Sequence, residues 1–290
     1  MSLAIVTDST CDLREDELAA LRVRRVPLYV HFRDHAYKDW IEITPNELIE
    51  GVQQGADMPT TSQPTPEDFA AAFRDAAADG ADRILVVTLA KELSGTHQSA
   101  VLAAKDAPVP VTVFDSNHAS LGAAYMVRRA AAMRDAEYDL DAITENLGRL
   151  REVAFLLFTV GTLEFLQKGG RIGRAGALVG SLLNIKPLLT IEEGVVQAAG
   201  RARGAKKALR EMTSRLRAYR EAHPEGELVV TFVHIQSESA VSSMAEAFRD
   251  AGISFRDGGT YELGAVIGVH VGPGTYGFYA LADPTPELGM

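Results

Sequence analysis

The chain has 290 residues, of which 47% are hydrophobic, which is enough for two domains and a sizeable core. Its formal net charge of −10 argues against a broad nucleic-acid-binding surface, which requires a basic field. The one cysteine, Cys11, excludes an intrachain disulfide and is typical of a cytoplasmic protein. The sequence holds no run of about 18 apolar residues. Its N-terminus has no basic region before a long apolar core, so we expect neither a transmembrane helix nor a signal peptide.

In the first half of the chain, apolar runs alternate with helical patterns. The predicted strands are 3–7, 25–32, 84–89, 111–115 and 154–159. The predicted helices are 12–21, 45–55, 66–78, 118–134 and 141–151, and apolar residues at roughly helical spacing also follow Ser94-Gly95-Thr96. This alternation predicts a largely parallel sheet with helices on both faces.

Polar side chains follow several of the predicted strands. Asp8 and Ser9 directly follow the first strand, where they serve either a ligand or a turn and helix cap. Thr61 and Ser62 lie in a segment held between prolines, MPTTSQP. That segment is either a fixed hydrogen-bonding site or an ordinary hydroxyl-rich turn.

The most informative stretch is ILVVTLAKELSGTHQSAVLA, residues 84–103. A buried strand leads to Ser94, which is predicted to be the N-cap of the next helix, with Gly95 and Thr96 beside it. The site lies off the carboxyl end of a strand, where open α/β sheets bind ligands. A helix N-terminus at that place favours an anion such as phosphate or carboxylate. The alternative is that Ser94 only caps its helix.

The sequence pattern changes near residue 160. The predicted helices after this point are one that ends on glycines, a short one at 176–183, a long one at 206–222 and one at 239–251. The predicted strands are a hairpin of 185–191 with 195–199, and single strands at 228–234 and 276–281. The stretch 262–271 is ambiguous, and we favour a helix. The pattern predicts a mixed α/β second domain, so we divide the chain into residues 1–160 and 161–290.

Most catalytic and nucleotide motifs fail in this sequence. The G-x-G-x-x-G match at 272–277 precedes a predicted strand rather than a helix, and a P-loop is absent. His31, Asp34 and His35 lie in a solvated hairpin, and no metal site is predicted. The alternative that stays open is a small-molecule hydrolase or acyltransferase with Ser94 as nucleophile. In a hydrolase, Asp115 and either His97 or His270 would complete the triad.

Six segments together resemble the DegV family of fatty-acid-binding proteins, the lipid-carrier subunits of bacterial fatty acid kinase. The segments are IVTDST at 5–10, TTSQPTPEDF at 60–69, LSGTHQSA at 93–100, FLQKGGRIG at 165–173, NIKPLL at 184–189 and IGVHVGPG at 267–274. They occur in the family's order and span nearly the whole chain. The resemblance implies the family's two-domain α/β architecture.

The resemblance also implies one long-chain fatty acid in a buried tunnel between the domains. Its carboxylate would be held by Thr61, Ser94 and His270, with Ser62, Gly95 and Thr96 as neighbours that can substitute. Arg171 and Arg201 match family positions near the binding mouth or the partner surface. From the residues themselves, Lys168, Arg171 and Arg174 form a basic patch that either docks a partner or neutralises a helix C-terminus.

The resulting expectation is a cytoplasmic carrier in phospholipid synthesis rather than an enzyme. It presents the carboxylate to a separate ATP-dependent fatty acid kinase and uses no cofactor or metal. No nucleic acid or integral membrane segment is expected, and transient contact with a membrane surface is left open. The acyl chain, the oligomeric state and the identity of the kinase do not follow from the sequence.

Overall fold

The computed structural model describes residues 2–178 and 185–283, and its contacts divide the chain into two units. Among the described residues, the first unit comprises 2–152 with Gly264–Val266, and the second comprises 153–178, 185–263 and 267–283. One unit is built on a parallel sheet and the other on a mixed sheet, which confirms the predicted α/β class. The predicted domain boundary after residue 160 stays a prediction.

The first unit is built around a four-stranded parallel sheet. Its strands are β1 (Leu3–Asp8), β2 (Val23–Val26), β6 (Arg83–Thr88) and β7 (Val111–Asp115). They lie in the order β2-β1-β6-β7, and every neighbouring pair is parallel. β1 is buried along its whole length and β6 except for its first residue, as expected of strands covered on both faces.

A second, three-stranded sheet in this unit differs from the prediction. It consists of β3 (Tyr29–Phe32), β4 (His35–Lys38) and β5 (Thr60–Ser62), in the order β4-β3-β5. The single strand predicted at 25–32 is therefore wrong. Pro27 has no backbone N–H to donate, and it lies where β2 of one sheet ends and the chain moves to β3 of another. Residues 60–62, predicted as loop, form an edge strand beside β3.

Six helices accompany these sheets. They are α1 (Glu15–Ala20), α2 (Pro45–Gln53), α3 (Pro66–Ala78), α4 (Thr96–Ala104), α5 (Leu121–Asp135) and α6 (Leu140–Val153). The predicted caps of α2 and α3 are confirmed: Thr44 and Thr65 each accept a bond from the backbone N–H three residues on. The predicted start of α1 at Asp12 is wrong, because Asp12 is buried in a left-handed turn before the helix. The predicted start of α5 at His118 is also early.

The second unit has a six-stranded mixed sheet. Its strands are β8 (Phe155–Thr159), β9 (Ile185–Glu192), β10 (Val195–Arg203), β11 (Glu227–His234), β12 (Arg256–Glu262) and β13 (Tyr276–Asp283). The order is β10-β9-β8-β13-β11-β12, with β12 parallel to β11 and the other neighbours antiparallel. The predicted hairpin of β9 and β10 is confirmed.

Two features of this sheet differ from the prediction. β8, grouped with the parallel strands, pairs antiparallel with β13. Alternation along the chain does not show which sheet a strand joins, because pairing is decided by residues far away in sequence. β12 was missed because Gly258 and Gly259 lower its strand propensity.

Among the described residues of this half of the chain, the α-helices are α7 (Glu164–Lys168), α8 (Ala205–Ala222), α9 (Glu238–Asp250) and α10 (Ala265–Val271). The amphipathic helices α8 and α9 pack buried residues such as Met212, Leu216 and Phe248 into one core with the sheet. Of the helix predicted at 176–183, the structure shows a 3₁₀ segment at Gly173–Leu178, and its remainder lies outside the described residues. Within the described ranges, no helix combines the length and apolarity needed to cross a membrane.

Candidate functional site

The loops after β1 and β6 meet at the carboxyl edge of the parallel sheet. β1 and β6 are neighbours, and the strands that follow each of them in the sheet, β2 and β7, lie on opposite sides. Such a change of direction marks where open α/β sheets bind ligands. The Asp8 carboxylate ties the two loops together, because Oδ2 accepts a 2.8 Å bond from the Leu89 N–H and Oδ1 accepts one from Thr10 N–H.

Asp8 and Ser9 are therefore structural residues. Both are buried, and burial raises the pKa of the Asp8 carboxyl despite bonds from Thr10 and Leu89. The Ser9 hydroxyl donates to Asp39 Oδ2 and accepts from the Leu28 N–H. The reading of these two residues as turn and cap is correct.

Ser94 is not the N-cap of α4, as predicted, but the residue before it. Gly95 is the N-cap of α4, and the helix begins at Thr96. The reason is local: the Leu93 and Ser94 N–H groups both bond the Ala90 carbonyl, which forms a turn that ends just before Gly95. The Ser94 hydroxyl nevertheless faces the helix start, since Oγ is 2.9 Å from Thr96 Oγ1 and accepts from the Thr96 N–H at 3.3 Å.

The segment with Thr61 and Ser62 is joined to the start of α4 by Gln63. The Gln63 carboxamide lies against Gly95, where a Cβ atom would collide with it. Its Nε2 also donates to Ser99 Oγ at 3.2 Å. The structure thus brings the two predicted hydroxyl loops together. Sequence reasoning missed Gln63, although its position between Ser62 and Pro64 in a stiffened segment was a signal.

The hydroxyl groups of this cluster differ in burial and partners. Thr61, Ser62 and Ser94 are half-buried, and Thr96 is fully buried. β5 holds Thr61 opposite Val30 of β3, and Ser62 Oγ lies 2.8 Å from His31 Nε2. These hydroxyls and the first N–H groups of α4 form a set of neutral donors suited to a carboxylate or phosphate.

The contacts of Ser94 do not support the hydrolase alternative. Ser94 Oγ pairs with Thr96, whereas His97 Nδ1 lies 3.1 Å from Thr88 Oγ1. Desolvation lowers the pKa of His97, against the raising effect of the Asp115 charge. A serine nucleophile requires a base within hydrogen-bond reach, and in this unit the nearby imidazole is directed to a different hydroxyl.

In the second unit, His270 is packed against the glycine at the end of α7. A Cβ atom on Gly169 would collide with His270 Nδ1 and would lie 3.0 Å from the Phe165 carbonyl oxygen. Gly272 has a φ of +71° and no space for a side chain against the Phe165 ring. The K-G-G-R and H-V-G-P-G segments are therefore packed closely, and Gly169 leaves the space that the imidazole occupies.

The electrostatic environment keeps His270 neutral. Burial, together with the smaller effect of the nearby positive charge of Arg171, lowers its pKa to about 4. The Arg171 side chain donates to the Gly169 carbonyl at 2.9 Å, which places the guanidinium beside this imidazole. A neutral imidazole next to a cation is suited to donate one hydrogen bond to an anionic group.

The other predicted cations lie on the surface. Lys168 pairs with Glu164 at 2.6 Å, and Arg174 Nη2 lies 3.6 Å from Glu193 Oε2. These two carboxylates weaken the predicted basic patch of Lys168, Arg171 and Arg174. Arg201 is exposed on β10, opposite Pro187 of β9.

Metal-binding side chains do not converge in the described residues. Within 2–178 and 185–283, no group of three or more His, Cys, Asp or Glu residues is placed to hold a metal ion. His31 is bonded to Ser62, and His35 stacks edge-on against Tyr37. Both histidines therefore have partners in the small sheet.

The two-unit α/β fold thus carries hydroxyl donors at the sheet edge of the first unit and a buried imidazole in the second. The DegV family, described as "Uncharacterised protein, DegV family", matches residues 2–283. The chain belongs to this family.

Individual relatives cover nearly the whole chain. A DegV domain-containing protein of Deinococcus radiodurans is 44% identical over 96% of this chain and 97% of its own length. A fatty acid-binding protein of Thermotoga maritima is 34% identical, over 96% and 97% respectively. A structure reporting fatty acid binding by a DegV family protein of Thermus thermophilus has 47% identity and a TM-score of 0.93, covering 98% of this chain and 100% of that one.

Proposed function

We propose that this protein binds one long-chain fatty acid and holds its carboxylate for a separate ATP-dependent kinase, which converts it to an acyl phosphate. The observation that carries the proposal is the Gln63 contact, which joins the Thr61–Ser62 segment to Ser94 and the start of α4. Fatty acid binding by the Thermus thermophilus and Thermotoga maritima relatives supports the choice of ligand.

The proposed division of labour follows from the chemistry of the ligand. A chain of about sixteen carbons gains roughly 0.8 kcal/mol per buried CH₂ group, so the acyl chain supplies most of the affinity. A carboxylate only accepts hydrogen bonds. Thr61, Ser94 and a neutral His270 are proposed as its donors, with Ser62, Gly95 and Thr96 as neighbours. Arg171, Arg174 and Arg201 are proposed for the mouth or the partner surface.

The binding role predicts the effects of removing single donors. Ser94→Ala and Thr61→Val should each weaken palmitate binding about tenfold, since a hydrogen bond to a charged group contributes roughly 1.5–3 kcal/mol. Both should keep the free energy of unfolding within about 1 kcal/mol of the wild type, because neither side chain is in the core. Competition with a fluorescent fatty acid measures the affinity.

The matched control is Ser242→Ala, which removes an exposed hydroxyl on α9 that bonds only its own helix. It should bind palmitate as the wild type does. Wild-type affinity in both Ser94→Ala and Thr61→Val would show that the carboxylate is held by other residues.

The carrier role predicts that this chain does not transfer phosphate. Gly272 and Gly274 lie in the turn between α10 and strand β13, whereas a dinucleotide-binding glycine loop leads from a strand into a helix. Incubation of the isolated protein with ATP and radiolabelled palmitate should yield no acyl phosphate, which hydroxylamine would trap as the labelled hydroxamate. Acyl phosphate formed in proportion to this protein through successive purification steps would contradict the carrier role.

A further inference from the structure

Two buried aspartates hold the chain segment just before and at the start of α10. Asp12 and Asp39 are both fully buried. Asp12 Oδ1 accepts from the Gly264 N–H at 3.0 Å, and Asp39 Oδ1 accepts from the Val266 N–H at 3.2 Å. Gly264–Val266 is grouped by its contacts with the first unit. These bonds therefore attach a segment from late in the chain to loops near its beginning.

The aspartates are themselves fixed by further contacts. The Trp40 indole N–H donates to Asp12 Oδ1 at 3.3 Å, and the Ser9 hydroxyl donates to Asp39 Oδ2 at 2.7 Å. Asp12 and Trp40 both have positive φ angles, +56° and +64°. A tryptophan rarely adopts this conformation, which persists only where the surrounding contacts impose it.

Gly264 completes the arrangement by leaving room for these side chains. A Cβ atom at this position would lie 2.8 Å from Asp12 Oδ1 and 2.9 Å from Trp40 Cε2, and it would collide with the indole nitrogen. Any larger residue would push Trp40 or Asp12 away. We call Asp12, Asp39, Trp40 and Gly264 the α10 latch.

The latch lies at the beginning of the helix that carries His270. α10 spans Ala265–Val271, so His270 follows its first residue by about one and a half turns. A helix of seven residues gains little stability from its own hydrogen bonds. Its position therefore depends on tertiary contacts, which include the burial of Val266 and Val269 and the two bonds to the aspartates at its start.

We propose that Asp12 and Asp39 are positioning residues for His270, fixing the first turn of α10 and thereby the place of the imidazole. The inference rests on the proposed function, in which His270 donates to the fatty acid carboxylate. Neither aspartate is assigned contact with the ligand. Their effect on binding is exerted through the helix.

The charges around Asp12 identify a conservative variant. The pKa of Asp12 is raised to about 8, mainly by burial and in part by the nearby charge of Asp39, although bonds from Ser120, Gly264 and Trp40 lower it. Burial also raises the pKa of Asp39, to about 6, opposed by Ser9, the Val266 and Ala265 N–H groups, and the charge of Arg25. Asp12 is thus mainly neutral at pH 7, and asparagine resembles that neutral form.

The test compares Asp12→Ala, Asp12→Asn and Gly264→Ala in the full chain. Three measurements are made: palmitate affinity, the NMR resonances of the His270 ring, and the fluorescence of Trp40, the one tryptophan. Asp12→Ala and Gly264→Ala should weaken palmitate binding about tenfold, the loss expected for one misplaced bond to a charged group. Both should shift the His270 and Trp40 signals, and Asp12→Asn should restore binding to within about threefold of wild type.

Gly148→Ala, an open position on α6, is the control and should change none of the three signals. Gly264→Ala keeps both carboxylates, so unshifted His270 resonances in this variant would contradict the proposal that the α10 latch positions His270. Reduced affinity in Ser94→Ala with normal affinity in Asp12→Ala and Gly264→Ala would overturn it while the proposed function stands. If Ser94→Ala and Thr61→Val bind palmitate normally, the proposed function fails. The His270 resonances alone then test whether the α10 latch positions His270.

Discussion

Replacing Gly169 with alanine is expected to weaken palmitate binding at least about tenfold, because the new methyl group occupies space now filled by the His270 ring. The imidazole must rotate away, and one hydrogen bond to the carboxylate is lost, at a cost of roughly 1.5–3 kcal/mol. The fold should be affected less, since the displaced group is the end of a side chain. Palmitate competition and the His270 NMR resonances measure the two effects.

Gly176→Ala is the matched control in the same unit, because a Cβ atom there has no neighbour within 4 Å. It should leave the palmitate affinity and the His270 resonances unchanged. An unaltered His270 resonance in Gly169→Ala would contradict the close packing, and an unaltered affinity despite a shifted resonance would remove His270 from the carboxylate site.

The buried imidazole also predicts how stability depends on pH. The pKa of His270 is about 4 in the fold against 6.5 for an ordinary histidine. The unfolded chain therefore binds this proton more tightly than the folded protein. The contribution to stability is complete above pH 6.5 and is lost as the pH falls from 6.5 towards 4, by up to about 3 kcal/mol.

The measurement is the difference between the wild type and His270→Gln, in delipidated protein, from urea unfolding between pH 4 and pH 8. A difference is needed because Asp12 acts in the opposite direction. Its raised pKa, about 8 against 3.8, favours the folded state at low pH, and this contribution is lost as the pH rises from 3.8 through 8. The wild type should lose stability relative to His270→Gln as the pH falls. A difference that is constant with pH would show that His270 is not desolvated.

Several regular elements of the first unit could be predicted because their determinants are local. The apolar run of β6 and the Thr-Pro starts of α2 and α3 are each signals that occupy only a few consecutive residues. Capping and burial patterns of this kind depend on residues that are neighbours in the sequence. The same holds for the end of α7 on Gly169 and for the hairpin of β9 and β10.

The contacts that shape the candidate site could not be predicted in this way. Gln63 meets Gly95 across 32 positions of sequence, and the Asp12 bond to Gly264 spans 252. Nothing near Asp12 distinguishes a latch from a helix cap, which is why the start of α1 was placed there. The N-cap of α4 was predicted at Ser94, one residue before its actual position at Gly95, because the turn at Ala90 is set by the loop as a whole.

The central claim is that this chain carries a fatty acid. The most direct test is mass spectrometry of an organic extract of the protein, purified without added lipid, alongside Ser94→Ala prepared in the same way. The account predicts close to one long-chain fatty acid per wild-type chain and a clearly lower occupancy in the variant. The claim would be contradicted by a wild-type protein that is empty and takes up no palmitate but hydrolyses ester substrates through Ser94.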